Sequence, residues 1–330
     1  MTSEGGARPR FLALVGATAS GKTELSEALA ERLCIEVISM DSRQVYRGMD
    51  IGTDKVAPEA RARIPHHGLD LVPPSERYSA GRFARDARRW IADIEARERI
   101  PVLVGGTGFF LRALTDPIFE EPDLDPVRLT RLRSYLGAQP PERLATWVRH
   151  LDPERAPVAV EGGPQRMGRT LEVPLMTGRP LSWWHRAAPR EADPVPGVVV
   201  WLEVPREELD RRIERRVGRM LERGFVDEVR ALVEAGYTED DPGMSGTGYR
   251  EVIAYLKGEV SLEESARMIR SATRRYARRQ MTWFRHQLPA DAVRVDATAP
   301  LEERLARTLA AWTGKSAGGG IHAVSGGGEA

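Results

Sequence analysis

The sequence of 330 residues contains one cysteine, Cys34, and six histidines. A single cysteine excludes an internal disulfide and a zinc site built from several thiolates. No apolar run approaches the length needed to cross a membrane, and the N-terminal stretch MTSEGGARPR lacks the apolar core of a signal peptide. These absences predict a soluble, cytoplasmic protein with no membrane anchor and no disulfide framework.

Net charge is also nearly absent, because 49 basic residues are balanced by 48 acidic ones. Such a chain is not a polycation, but it can still carry a local basic surface. Hydrophobic residues make up 41% of the chain, which is enough for a sizeable core. The length predicts one large domain or two smaller ones. The segments 1–9 and 313–330 are poor in apolar residues, and we expect both to be disordered tails.

The strongest motif follows the first apolar run, residues 11–15, which predicts a short buried strand. The next eight residues, GATASGKT, match the phosphate-binding pattern G-x-x-x-x-G-K-[ST] at every fixed position. They are Gly16, Ala17, Thr18, Ala19, Ser20, Gly21, Lys22 and Thr23. The glycines let backbone N–H groups turn toward phosphate oxygens, the lysine adds positive charge, and the Thr23 hydroxyl is a ligand for Mg²⁺. The motif predicts a bound diphosphate or triphosphate, but it does not identify the reaction.

Two further runs, 36–40 (EVISM) and 100–104 (IPVLV), predict strands of the same sheet. Because the carboxyl ends of parallel strands line the ligand crevice, Asp41 is expected on the same edge as the phosphate loop. Its carboxylate can accept a proton, hold a metal through water, or simply cap a turn. The second run ends in glycines and Thr107 rather than in the aspartate that an ATPase commonly uses for Mg²⁺. Thr107 is either a donor beside the ligand or the N-cap of the next helix.

The middle of the chain differs in composition, because it contains many prolines and short helical patterns. The next long apolar run begins at residue 198. We therefore predict an α/β fold: a P-loop NTPase-like core with a parallel sheet over 10–116 and 198–312, and a mainly helical inserted domain over 117–197. The loop-rich segment 48–75 contains His66 and His67. No third ligand at metal spacing accompanies them, which favours a structural role.

Arginines are concentrated in a few places. Arg212 and Arg216 lie four residues apart in a predicted helix, where they can reach a phosphate or pair with acids of the same helix. Arg166 and Arg169 would share a helix face suited to phosphates, although their spacing alone favours a solvated charged face. The predicted helix 267–285 holds seven arginines and no acid. Because nothing within that helix offsets the repulsion, we expect it to contact nucleic acid or phosphate.

Taken in order, these stretches resemble the bacterial tRNA dimethylallyltransferase (isopentenylpyrophosphate:tRNA transferase) family. The resemblance runs from about residue 10 to residue 286 and is carried by GATASGKT, DSRQVYRGMDIGT, IPHHGLDL, YSAGRFARDA, PVLVGGTG, PQRMGRTLEV, RRIERRVGRMLERGFVDEV, GYREVIAYLKG and TRRYARRQMTWFR. Ala17 stands where the family's loop is expected to have proline, which removes no side-chain donor. The resemblance implies transfer of a dimethylallyl group from dimethylallyl diphosphate to N6 of adenosine 37, just 3′ of the anticodon, in tRNAs that read U-initial codons.

The resemblance also implies a role for each candidate residue. Asp41 would take the proton of the adenine amine, while the phosphate loop, Mg²⁺ at Thr23, Thr107, Arg212 and Arg216 would stabilise the leaving diphosphate. The implied tRNA contacts are Asp41, Ser42, Arg43, Gln44, Thr107, Arg128, Gln165, Arg166, Met167, Gly168, Arg169, Arg274, Arg275, Arg278 and Arg279. The inserted domain would bind the anticodon stem-loop, and the default expectation is a monomer.

Three other functions fit parts of the sequence. A small-molecule P-loop kinase explains the first hundred residues but not the arginine-rich helix. A non-catalytic RNA-binding module that uses ATP as a switch conflicts with the missing strand-end aspartate. Prenyl transfer to a free adenine nucleotide, as by an adenylate isopentenyltransferase, leaves the insertion and the basic helix without a purpose.

Overall fold

The structure, a computed structural model, describes residues 8–116, 124–187 and 192–314. The chain divides into two compact units, Met1–Thr115 with Val195–Ala330, and Asp116–Pro194. The second unit interrupts the first at nearly the positions expected for the insertion, 117–197. The segments predicted to be disordered tails lie almost wholly outside the described residues.

A parallel sheet of six strands forms the centre of the first unit in the described part of the chain. The strands are β1 (Phe11–Val15), β2 (Ile35–Ser39), β3 (His66–His67), β4 (Ile100–Gly105), β5 (Gly197–Glu203) and β6 (Val293–Asp296). Their spatial order is β3-β2-β4-β1-β5-β6. Leu14 of β1 is therefore opposite Val104 on one side and Val200 on the other. β1 and β2 are buried along their whole length. The continuous apolar run of β1 is typical of a strand within a parallel sheet, whereas the buried Glu36 of β2 is paired with His67 and Arg97.

The helices alternate with these strands and also build the second unit. In chain order they are α1 (Lys22–Ala30), α2 (Pro58–Arg63), α3 (Ala80–Ala96), α4 (Gly108–Thr115), α5 (Pro126–Gly137), α6 (Pro141–Leu151), α7 (Ala156–Glu161), α8 (Pro164–Thr177), α9 (Leu181–Ala187), α10 (Arg206–Glu222), α11 (Phe225–Glu234), α12 (Tyr249–Leu256), α13 (Leu262–Gln287) and α14 (Leu301–Thr313). None of those in the described part of the chain combines the length and apolar content needed to span a membrane.

The second unit consists of α5 to α9 around a small core of its own. Leu136, Leu144, Val148 and Leu171 are buried at its centre. Asp152 is fully buried and accepts the backbone N–H of Ser182 at 2.9 Å. Hydrogen bonds from the backbone N–H groups of Arg155 and Ser182 offset part of the cost of burying this carboxylate, and the second of them fixes the start of α9 relative to α6. Several prolines of this part of the sequence begin helices: Pro126, Pro141 and Pro164 each lie in the first turn of a helix, where proline is well tolerated.

The segment 48–75 is more ordered than its composition suggests, since it contains α2 and β3. Both elements are too short to produce a periodic signal in the sequence. His67 Nε2 lies 2.7 Å from Glu36 Oε2, and the His67 ring packs beside Trp90. No group of three potential metal ligands exists among the described residues. His66 contacts the Ile64 carbonyl in turn, so both histidine rings have partners within the protein.

Candidate active site

The phosphate loop leaves the central strand of the sheet at its carboxyl end. Gly21 has a φ of 89°, a left-handed conformation that glycine adopts without strain, and α1 begins at the following residue. Ser20 donates its N–H to the Ala17 carbonyl at 3.2 Å, which closes the loop. The first N–H groups of α1 have no partner within the helix, so the loop and the helix N-terminus together form a site for an anion.

Lys22 lies folded against its own loop. Its Nζ donates to the carbonyls of Gly16 at 3.0 Å and Ala17 at 2.7 Å and to Ser20 Oγ at 3.3 Å. These bonds use all three protons of the ammonium group. Burial lowers the pKa of Lys22 to about 8, against the opposing influence of the Asp41 carboxylate. Burial dominates because the charged form of the lysine loses hydration. An anion bound in the loop would stabilise that charged form and raise the pKa again.

Asp41 follows β2 on the same edge of the sheet. Its Oδ1 accepts the backbone N–H of Arg43 at 2.8 Å, so the carboxylate does cap a turn, while its other oxygen has no such bond to any residue that the structure describes. The Thr107 hydroxyl accepts the N–H of Ser42 at 3.1 Å, which ties this turn to the end of β4. Turn capping by Asp41 is therefore compatible with a role in accepting a proton or holding a metal through water, because it uses only one of the two carboxylate oxygens.

The next two residues in this turn are held by the protein itself. Arg43 Nη1 donates to the Pro242 carbonyl at 2.7 Å. Gln44 accepts from Ser39 Oγ at 2.7 Å, and its Nε2 donates to the Thr53 carbonyl at 3.2 Å. Both side chains line the cavity described below. Their hydrogen bonds fix the loops around that cavity, and this feature could not be read from the sequence.

The Gly-Gly-Thr-Gly turn after β4 is required by packing within the protein. A side chain at Gly105 would collide with the Met40 backbone, one at Gly106 with Gln280, and one at Gly108 with Trp283. Neighbouring protein groups therefore occupy the space beside these glycines, although Gly105 and Gly106 also line the cavity. Thr107 is not one of the described residues that line the cavity. Its hydroxyl supports the Asp41 turn by accepting the Ser42 N–H.

Both candidate arginines of α10 reach the phosphate loop. Arg212 donates to Glu208 Oε1 at 2.7 Å and to the Ala297 carbonyl at 3.0 Å. Arg216 forms an ion pair with Asp54 at 3.2 Å, and its positive charge contributes to the low pKa of Lys22. Arg212 is thus anchored to the protein at two points, whereas Arg216 has an acidic partner that is itself partly exposed.

A single cavity of about 900 Å³ in the first unit brings these groups together. The predicted site residues that line it are Thr18, Ala19, Ser20, Gly21, Lys22, Thr23, Asp41, Arg43, Gln44, Arg212, Arg216 and Arg279. Gly16 and Ala17 are buried beneath the loop. The cavity therefore places a phosphate site, several cations and one carboxylate around the same space. This combination can bind a phosphorylated substrate and remove a proton from a second reactant.

Sequence reasoning missed two polar residues of α13 that face this cavity. Tyr276 lines it, and burial raises the pKa of Tyr276 to about 12, with a further contribution from the Asp41 carboxylate. Gln280 is buried and bonds both the phosphate loop and the Gly106 carbonyl. An isolated tyrosine and glutamine in a basic helix form no motif, so only the packing of α13 could reveal them.

The arginines of α13 divide into two groups. Arg270 and Arg274 pair with Glu214 of α10, at 2.6 and 2.9 Å. The assumption that nothing offsets their repulsion is therefore wrong, because the compensating acid belongs to another helix. Arg275, Arg278 and Arg279 are exposed. Within the described part of the chain, these three form no ion pair, which leaves their charge available for an external anion.

The residues of the second unit that are predicted to contact tRNA differ in their exposure. Arg128, Gln165 and Arg166 are exposed, and Gly168 is half-buried. Arg169 pairs with Glu172 at 3.1 Å, which Arg133 also binds. Met167 is only 3% exposed and packs in the core of this unit. The prediction of an RNA contact by the Met167 side chain is wrong, because its helical position turns it inward.

Comparisons with known proteins agree with this architecture. A family model described as IPP transferase matches residues 44–287, and one described as isopentenyl transferase matches residues 9–62. A tRNA dimethylallyltransferase of Geobacter metallireducens is 44% identical over 278 residues, covering 84% of this chain and 90% of that protein. Its counterpart in Thermomicrobium roseum is 41% identical over 309 residues, covering 92% of each.

Solved structures give the same result. The full-length tRNA isopentenylpyrophosphate transferase from Bacillus halodurans has a TM-score of 0.64 and 35% identity, covering 89% of this chain and 92% of that chain. A eukaryotic dimethylallyltransferase described as acting on tRNA has a TM-score of 0.77 and 27% identity, covering 92% and 80%. The predicted α/β fold with a parallel sheet is confirmed.

Proposed function

Because this chain belongs to the IPP transferase family, we propose that it is a tRNA dimethylallyltransferase, a prenyltransferase that modifies tRNA. The observation that carries this proposal is the composition of the cavity. It joins a phosphate loop to the carboxylate of Asp41, whereas β4, next to the loop's own strand, ends in glycine. The site thus suits binding of a diphosphate leaving group and removal of a proton more than hydrolysis of ATP.

The proposed reaction joins dimethylallyl diphosphate to N6 of adenosine 37 in tRNAs that read U-initial codons. The N6–C1 bond forms, the bond between C1 and the bridging diphosphate oxygen breaks, and one proton leaves N6. The products are N6-isopentenyladenosine and diphosphate. An adenine in a stacked loop cannot enter a cavity of this kind, so the base has to leave its stack first.

On the donor side, the phosphate loop holds the diphosphate through its free amides and through Lys22. The Lys22 ammonium now donates to three oxygens of its own loop. When a diphosphate binds, some of these hydrogen bonds would be exchanged for stronger ones to the negatively charged phosphate oxygens. We assign Arg216 to the diphosphate, since its field already acts on Lys22 and Asp54 can release it. Arg212, bonded to Glu208 and Ala297, holds the loop through its Nη1, which donates to the Ser20 carbonyl at 3.5 Å.

The donor set fits Mg²⁺ only in a shared site. Thr23 is exposed at the start of α1 and offers one hydroxyl oxygen, and no three acidic or histidine ligands cluster among the described residues. Mg²⁺ keeps several waters and is commonly bound by one or two protein oxygens together with substrate phosphates. When bound, the ion would neutralise charge on the leaving diphosphate, with Thr23 as its protein ligand.

On the acceptor side, Asp41 takes the proton from N6. Its Oδ1 is held by the Arg43 N–H, which leaves the second oxygen to act as the base. Thr107 is a positioning residue in this scheme, because its hydroxyl fixes the Ser42 N–H and hence the turn that carries Asp41. Arg43 and Gln44 line the acceptor space, with hydrogen bonds that hold their side chains in one orientation.

The tRNA itself would be bound mainly through its backbone phosphates. In the first unit the exposed arginines Arg275, Arg278 and Arg279 are the candidates, since their charge is not neutralised by described residues. In the second unit the exposed Arg128, Gln165 and Arg166 would contact the anticodon stem-loop. We further propose that the enzyme acts as a monomer in the cytoplasm, where its tRNA substrate is available.

A labelling experiment tests this function. The purified protein is incubated with Mg²⁺, radiolabelled dimethylallyl diphosphate and unmodified tRNA, with AMP and ATP in parallel reactions. Label should enter the tRNA and should be lost when adenosine 37 is replaced by guanosine. Label in AMP would instead indicate a free-nucleotide prenyltransferase. ATP consumption without any labelled product would support a kinase and contradict the proposal.

A further inference from the structure

Gln280 bridges two loops that come from neighbouring strands of the sheet. Its Oε1 accepts the backbone N–H of Thr18 at 2.9 Å, and its Nε2 donates to the carbonyl of Gly106 at 2.9 Å. Thr18 belongs to the phosphate loop after β1, and Gly106 to the turn after β4. Both residues line the cavity, while Gln280 is only 7% exposed. The bridge therefore forms part of the wall of the site.

The chemistry of this position is specific. At the ends of β1 and β4 the ladder of the sheet has stopped, so the Thr18 N–H and the Gly106 carbonyl need other partners. A primary amide supplies one donor and one acceptor on the same planar group. A side chain on residue 106 would collide with Nε2, so glycine at this position makes room for the amide. The two loops and the glutamine thus fit one another.

We propose that Gln280 is a positioning residue for diphosphate binding. By fixing Thr18 against Gly106, it holds the phosphate loop in the shape that directs its remaining amides at the anion. The Thr18 amide is itself satisfied by Gln280 rather than by a phosphate oxygen. This inference rests on the proposed function, because it takes the phosphate loop to be the diphosphate site.

The test compares two glutamines of the same helix. Gln280→Met has nearly the same volume but can neither accept from Thr18 nor donate to Gly106. The matched control is Gln287→Met, at an exposed residue near the end of α13 whose Oε1 accepts from Arg112 at 3.0 Å. Binding of inorganic pyrophosphate with Mg²⁺ is measured by calorimetry on the full chain, and tRNA binding is measured separately.

We expect Gln280→Met to raise the Kd for pyrophosphate about tenfold, which corresponds to about 1.4 kcal/mol. Loss of two ordinary hydrogen bonds is sufficient for a change of this size. The Kd for tRNA should stay within about twofold of the wild type, and Gln287→Met should leave both values unchanged. A residue that only stabilises the fold would not weaken one ligand and spare the other.

A second variant, at Gly106, disrupts the same hydrogen-bonded bridge at its other end. Gly106→Ala keeps the glutamine but displaces its amide. It should weaken pyrophosphate binding similarly, and the double variant should show no further loss, because both changes break the same link. If Gln280→Met does not fold, Gly106→Ala alone tests the proposal.

The outcomes separate the inference from the proposed function. Unchanged pyrophosphate binding in both folded variants, or an equal loss of tRNA binding, would overturn the positioning role. Additive losses in the double variant would also overturn it. If the wild-type protein itself does not bind pyrophosphate, the proposed diphosphate site fails, and the role of Gln280 fails with it.

Discussion

Replacing Asp41 with asparagine removes the proposed base and preserves the local structure. The Asp41 Oδ1 accepts the Arg43 N–H at 2.8 Å, and an asparagine carbonyl oxygen can accept the same bond. The turn after β2 should therefore keep its shape, including the Ser42 bond to Thr107. What changes is the second oxygen, which becomes an NH₂ group and can no longer take a proton from N6.

The size of the effect follows from the chemistry assigned to this oxygen. Loss of a general base lowers a rate by roughly 10² to 10⁴. We expect the transfer step to slow by at least about 100-fold, which is about 2.7 kcal/mol in the activation barrier. Binding of dimethylallyl diphosphate should change little, because the phosphate loop is untouched. The Kd for tRNA should also stay within a few-fold.

The measurement is a single-turnover assay with enzyme in excess over labelled tRNA and with saturating dimethylallyl diphosphate. Asp227→Asn is the matched control, because Asp227 is an exposed acid of α11 paired with Arg230 on the surface. It should react at the wild-type rate. A rate for Asp41→Asn within about fivefold of the wild type, with both substrates bound, would remove Asp41 from the role of base.

Two further predictions concern charge. The pKa of Lys22, lowered to about 8 by burial, means that its ammonium is largely charged at pH 7 and largely neutral at pH 9. Affinity for dimethylallyl diphosphate should therefore fall as the pH rises through about 8, approaching tenfold per pH unit, as calorimetry would show. Replacing the exposed Arg275 and Arg278 together with alanine should weaken tRNA binding and reduce the slope of log K against log salt by about 2.

Each of these has an internal control. Lys22→Arg keeps its charge across this pH range, so it should remove the step near pH 8. A step of equal size in that variant would mean that another group titrates. Arg274→Ala should leave the salt slope nearly unchanged, because that guanidinium already binds Glu214. A slope reduced by Arg274→Ala but not by the exposed pair would reverse our assignment of the two faces of α13.

The sequence was sufficient wherever a feature depends on neighbours along the chain. The strand Phe11–Val15 and the start of α1 at Lys22 lie where the apolar run and the glycine–lysine motif predict them. Ser79 caps the N-terminus of α3, where its side chain accepts the Arg82 N–H. A strand or helix terminus is fixed by local hydrogen bonding and periodicity, so the amino-acid pattern carries the information.

The sequence was insufficient where partners come from distant segments. It indicated unopposed charge along α13, but Glu214 of α10 neutralises Arg270 and Arg274. It placed Met167 at the RNA surface, but this side chain fills the core of the second unit. It gave no reason to notice Gln280, which is 262 residues from Thr18 in the chain.

The sequence by itself determined that a phosphate loop follows the first strand, that a carboxylate follows the second, and that the chain resembles one family. Only the tertiary structure decided that Asp41, Lys22 and Arg216 surround one cavity, that Thr107 supports a turn behind it, and that α13 closes its wall. Local motifs depend on backbone geometry over a few residues. A site depends on side chains brought together from strands and helices far apart in sequence, whose hydrogen bonds and ion pairs form only when the sheet and its helices have packed.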